Sequence, residues 1–118
     1  MASTLLVNTS SNAYYSLALN AQTGTTYTFV LSDASNTLVT ASNASAITVT
    51  VPPNSSVAFP VGAILQIAQT GAGQVTLAAG SGVTINYTPG LKLRAQYSVA
   101  SLVQTAANTW LLSGDVTA

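Results

Sequence analysis

An all-β fold, a small antiparallel β-sandwich or partly open β-barrel of about seven to ten strands, is what the sequence predicts, and three observations predict it. Apolar residues recur with a period of two, as at Ile47, Val49 and Val51 with Thr48 and Thr50 between them. That period belongs to strands half-buried against a core. Short tracts of Gly, Ser, Asn and Pro separate the apolar runs, and these residues supply turn conformations. No window carries helical periodicity, and the abundance of Thr, Ser and Asn opposes helix throughout.

Residues 1–22 read as a short N-terminal arm or edge hairpin, and residues 23–118 as one compact β domain. Leu5, Leu6 and Val7 suit one short strand and Tyr14, Tyr15, Leu17 and Leu19 another, with polar residues 8–12 as the turn between them. The pair reads as an edge of the same domain, as an arm laid along a neighbouring subunit or as a frayed tail. After a break at residues 22–25, Tyr27, Phe29 and Leu31 begin a regular strand that ends in turn material at residues 33–36. Leu38, Val39 and Thr40 follow, then a polar tract at residues 41–45, then the cleanest alternation in the chain, Ile47 to Val51. Pro52 and Pro53 close that strand, because proline cannot donate to a ladder. Val57 and Phe59 share the next face before Pro60-Val61-Gly62 turns the chain.

Residues 59–90 set the pattern for the rest. Three apolar runs at 63–67, 74–78 and 83–87 are separated by the glycine tracts 70–73 and 79–82, which are short enough for hairpin connections. The expectation is an antiparallel meander around which the flanking segments pack. Leu91 and Leu93 then alternate with Lys92 and Arg94; residues 97–104 read as a long strand, 105–108 as a turn, and Trp110 and Leu112 as the apolar face of a last strand.

Composition narrows the function. Of 118 residues, 48% are hydrophobic, yet Lys and Arg together number two, as do Asp and Glu. An ordinary soluble surface is about a quarter to a third charged, so this one is covered either by Ser, Thr, Asn and Gln or by other protein. Zero net charge leaves little repulsion to keep copies apart. The balance points to a building block of an assembly and away from nucleic acid, whose phosphates demand many cations. The chain has no cysteine, so disulfides and thiolate metal sites are excluded. Residues 1–7 lack the basic residues and apolar length of a signal peptide. No apolar run reaches the about 18 residues of a membrane-spanning helix, and no membrane partner is expected. Asn8, Asn43, Asn54 and Asn86 head N-x-Ser/Thr triplets of the kind chance supplies in so Asn-, Ser- and Thr-rich a chain.

Catalytic constellations are scarce. Histidine is absent, so no serine has an imidazole base, and Asp33 and Asp115 are the carboxylate side chains. Both stand in turn-like contexts, where an aspartate commonly caps a backbone N–H. The glycine tracts lack the following helix and Lys-Ser/Thr that would cradle phosphate. The expectation is a protein without enzymatic activity or cofactor. Lys92 and Arg94, two apart and hence on one strand face, form the positive spot of the chain. It reads as a solvated edge or as a contact with acidic residues of a partner. Tyr14, Tyr15, Tyr87, Tyr97 and Trp110 are rings that suit core, subunit interface or sugar stacking. Candidate interface residues are therefore Leu5, Leu6, Val7, Tyr14, Tyr15, Lys92 and Arg94.

The ordered course YTFVLSD at 27–33, ITVTVPPNSS at 47–56, FPVG at 59–62, QTGAGQV at 69–75, GVTIN at 82–86, QYSVA at 96–100 and NTWLLSGD at 108–115 resembles a β-rich module of tailed-bacteriophage virion surface proteins. The resemblance spans residues 26–116. It implies a non-enzymatic, oligomeric exterior component of the phage particle, often trimeric. Fibre modules of this kind are usually attached to a long shaft, and residues 1–25 are too short for one. Taken as a complete protein, the chain resembles a capsid decoration or cement protein, a homotrimer bound to the major capsid protein on the outside of the head. A tail or tail-fibre component that binds host glycan is the alternative.

Overall fold

The computed structural model describes residues 16–118. Its strands are β1 (Ala18–Gln22), β2 (Thr26–Thr28), β3 (Thr37–Ala41), β4 (Ile47–Val51), β5 (Ile64–Gln69), β6 (Val75–Ala79), β7 (Thr84–Asn86), β8 (Lys92–Leu93), β9 (Val99–Ala106), β10 (Thr109–Gly114) and β11 (Val116–Thr117). A short 3-10 helix, Leu31–Ala34, lies between β2 and β3. The fold is all-β, as the period-two patterning predicts.

Its topology departs from the antiparallel sandwich or barrel. Consecutive strands from β1 to β6 alternate between two sheets, so each pairs with the next strand but one. β1, β3 and β5 stack in parallel in one sheet, and β2, β4 and β6 stack in parallel in the other. Each pair, β1 with β2, β3 with β4 and β5 with β6, is one rung of a solenoid-like stack. The expected meander does not form either: β5 pairs with β3 and β9, β6 with β4 and β8, and β7 with β10. Antiparallel strands enter only in the C-terminal part, where β9 and β10 make a hairpin beside β5 and β8 and β11 extend the other sheet. The sheets thus run β1-β3-β5-β9-β10-β7 and β11-β8-β6-β4-β2.

The corners between sheets explain the parallel register. Where β1 passes to β2, β3 to β4 and β5 to β6, each corner is hydrogen-bonded to the one before it: Ser42 N–H donates to Gln22 O, Thr70 N–H to Ala41 O and Gly73 N–H to Asn43 O, at 2.9, 2.9 and 2.7 Å. The glycines of residues 70–73 serve this stacking. A Cβ on Gly73 would overlap the backbone of Ser45, and one on Gly71 would stand 2.8 Å from Asn43 N. Gly82, with φ +77°, does act as a turn glycine of the kind expected from the sequence.

Inward residues of both sheets interdigitate. Val39, Leu65, Ile67 and Leu102 from one sheet meet Val49, Val51, Leu77 and Leu93 from the other, all at 1% exposure or less. Phe59, from the connection between β4 and β5, packs edge-on to Trp110 with ring centroids 5.4 Å apart. Burying such side chains contributes about 1.5–3 kcal/mol each. Polar side chains enter the core only where backbone needs them. Gln104 Nε2 donates to the carbonyls of Phe59 and Pro60, and Gln69 accepts from Val75 N–H through Oε1 while donating to Gly71 O.

Candidate interaction surface

The first rung closes one end of the stack, and its inner side is polar. β1 turns Asn20 and Gln22 inward and leaves Leu19 facing outward at 71% exposure, so the apolar face expected of Leu17 and Leu19 is not a core face. Asp33, buried to 1% exposure, gathers the polar groups. Its Oδ2 accepts from Tyr27 Oη at 2.6 Å and from Val30 N–H at 2.9 Å, and its Oδ1 accepts from Asn20 Nδ2 at 2.9 Å. Asn20 Nδ2 also reaches Tyr27 Oη, and Gln22 Nε2 donates to Asn20 Oδ1. Burial, and then the hydrogen bond to and charge of Asp33, push the Tyr27 phenol up to about 12. Among the described residues no further strand covers the end of this rung, and the network satisfies its buried polar groups.

At the other end of the molecule the two predicted cations behave differently. β8 holds Lys92 exposed beside Thr76, and stops at Leu93. Arg94 forms a two-pronged pair with Asp115, Nε to Oδ1 at 2.8 Å and Nη2 to Oδ2 at 2.9 Å. Ser98 Oγ adds a bond to Asp115 Oδ2 at 2.7 Å and accepts from Ala95 N–H. The Arg94 and Ser98 hydrogen bonds hold the Asp115 carboxyl below its ordinary range, and the carboxylate raises Arg94. Arg94 is thereby neutralised within the chain, and among the described residues Lys92 makes no ion pair. Of the turn aspartates, Asp33 does cap a backbone N–H, whereas Asp115 accepts from side chains. Leu5, Leu6, Val7, Tyr14 and Tyr15 lie outside the described residues.

The aromatic set divides. Trp110 is core, while Tyr87 and Tyr97 are exposed. Tyr97 is 74% exposed on a left-handed backbone, φ +74°, fixed by its N–H to Gln69 O at 2.6 Å and by Gln96 Nε2 to Thr70 O at 3.1 Å. A tyrosine in that conformation is held against its preference.

The outward faces of the two sheets differ in chemistry. The five-stranded sheet presents Thr26, Thr48 and Thr76 in one row, continued by Lys92 and Thr117, and Thr28 and Thr50 in the next. The six-stranded sheet presents Ile64, Val103 and Leu111 on adjacent strands, then a row that runs Leu19, Leu38, Gln66, Ser101 and Ser113, then Val99. No charged side chain stands on this second face. Sequence reasoning passed over it, although its signal is present: residues 99–103 and 64–67 are apolar at both parities, the mark of strands covered on two sides. A shallow cleft of about 230 Å³ at its edge, lined by Asn36, Gly62, Ile64 and Gln66 among others, is below the about 300 Å³ at which ligand pockets begin.

No helix among the described residues is long and apolar enough to cross a membrane, and none of their acidic residues group in a set that would hold a metal ion. Comparison with protein-family models, curated proteins and solved structures found no match.

Proposed function

We propose that the chain is a structural, non-enzymatic component of a tailed-bacteriophage virion: a homotrimeric capsid decoration protein that sits on the outside of the head and binds the major capsid protein. The observation that carries the reading is the ordered course of segments from Tyr27 to Asp115 that resembles a virion surface module. Its chemistry is in keeping. Asp33 is buried, Arg94 and Asp115 neutralise each other, and apart from Lys92 the described surface is hydroxyl, amide and apolar. Such a surface holds partners by packing and backbone hydrogen bonds, which salt does not screen.

The test is co-sedimentation of the purified protein with heads stripped of it, across a sodium chloride series and then a guanidinium series. Attachment is expected to survive molar sodium chloride and to yield to guanidinium. Release by moderate sodium chloride from intact heads contradicts the reading. A tail or tail-fibre component that stacks host sugar has one observation in its favour, the rigidly presented Tyr97. Saccharide binding that is lost in Tyr97→Ala, without binding to heads, favours it instead.

A further inference from the structure

We propose that the outward face of the six-stranded sheet is the surface through which copies of this chain assemble, each copy turning that face toward the others. The inference rests on the self-association in the reading above and names a two-fold contact, face on face, that pairs copies whether or not they also form threefold rings.

The first observation is a comparison within one molecule. Both sheets are built from strands that need residues of high β-propensity on their outer sides. One outer side meets that need with threonines and Lys92, groups at ease in water. The other uses Ile64, Val99, Val103 and Leu111, of which Ile64, Val99 and Leu111 are almost half exposed. Propensity alone gives no reason for the difference; a covered face does. Six strands about 4.8 Å apart and about five residues long at about 3.3 Å each make a face of about 450 Å² in projection. Two such faces in contact reach about 900 Å², and rim residues such as Val61, 65% exposed, bring the total to the about 1,000 Å² of specific interfaces.

The second observation selects a copy of the same chain as the occupant. A surface that pairs with itself brings two copies of the same net charge together, so an uncompensated charge on it would repel. This face carries none: Lys92 stands on the opposite sheet, Arg94 and Asp115 are paired with each other, and Asp33 is buried. Its polar row is likewise suited to self-pairing. The amide of Gln66 and the hydroxyls of Ser101 and Ser113 each donate and accept, so identical rows can satisfy one another.

Sedimentation equilibrium on the full chain at micromolar concentration tests this, with circular dichroism as the check on folding. The wild type is expected to be an oligomer. The variant I64E/L111E is expected to be a folded monomer, and the gentler I64T/L111T to dissociate at a concentration at least about tenfold higher than the wild type. On the opposite face T28E/T76E is expected to leave the oligomer intact. If I64E/L111E does not fold, I64T/L111T decides. A wild-type monomer overturns the inference and assigns the face to residues 1–15 or to a foreign partner; an oligomer unchanged in I64T/L111T, or lost equally in T28E/T76E, also overturns it. An oligomer that responds as expected but does not attach to heads leaves this inference standing and contradicts the virion reading.

Discussion

Asp33 has the most exacting surroundings of any residue described. A buried carboxylate is tolerated when donors surround it, and Tyr27, Asn20 and Val30 N–H supply them. Asp33→Ala removes the acceptor and leaves those donors without it, so urea unfolding is expected to show a loss of about 2–4 kcal/mol. Tyr27→Phe is expected to lose less, about 1.5–3 kcal/mol at neutral pH, the range for a hydrogen bond to a charged group. The pH dependence follows from the same contact. Unfolded, the Tyr27 phenol titrates at about 10; folded, at about 12. The folded chain therefore binds that proton more tightly. The stability it contributes is complete below about pH 10 and is lost as pH rises through about 12. The gap between wild type and Tyr27→Phe is accordingly expected to narrow over that window, and a constant gap to about pH 12 would remove the contact from the account. Gly73 and Gly82 separate by mechanism. Gly73→Ala must move the backbone of the preceding corner and is expected to cost about 1–3 kcal/mol, as overpacking does. Gly82→Ala meets open space and is expected to cost about 1–2 kcal/mol, for its left-handed backbone alone.

At the scale of elements, stability is distributed by rung. β1 lies alongside β3, and Asn20 on it completes the Asp33 network. A chain cut before Thr23 is therefore expected to melt lower than one cut before Ser16 and to lose in stability at least the about 1.5–3 kcal/mol of the Asn20–Asp33 bond. Equal melting of the two would mean that β1 adds nothing to the stack. How legible these elements are in the sequence depends on what period two can report. It marks which residues face inward, and the inward sets Ile47, Val49 and Val51, and Trp110 and Leu112, are buried as the alternation predicts. It is silent on direction, because parallel and antiparallel strands alternate alike. The glycine tracts read as hairpin turns for want of that information, since close stacking and tight turning call for the same residue. One trace of the stack is present: Thr-Tyr-Thr at 26–28, Thr-Val-Thr at 48–50 and Thr-Leu-Ala at 76–78 repeat the same inward and outward chemistry and lie in register across the sheet. The unequal spacing between them hides the repeat. The pairing of Arg94 with Asp115 is likewise invisible in sequence, because it depends on β8 and β11 meeting.

For the whole molecule, the governing fact is a surface almost without charge. On the proposed reading, attachment to the head has to come from packing and strand contacts. Burying about 1,000 Å² of surface, a little over half of it apolar, gives a gross term of about 14 kcal/mol before association and ordering costs. Repetition of the contact around an oligomer strengthens it through effective concentration. The central claim, that this chain is a structural part of the outside of a phage head, is most directly tested on the particles themselves. Particles made from the genome that encodes the chain are purified, their proteins identified by mass spectrometry, and the chain located with a labelled antibody by electron microscopy. The account predicts that the chain is an abundant particle protein and that the label covers the outer surface of the head. Label confined to the tail, or particles that lack the chain, would contradict it.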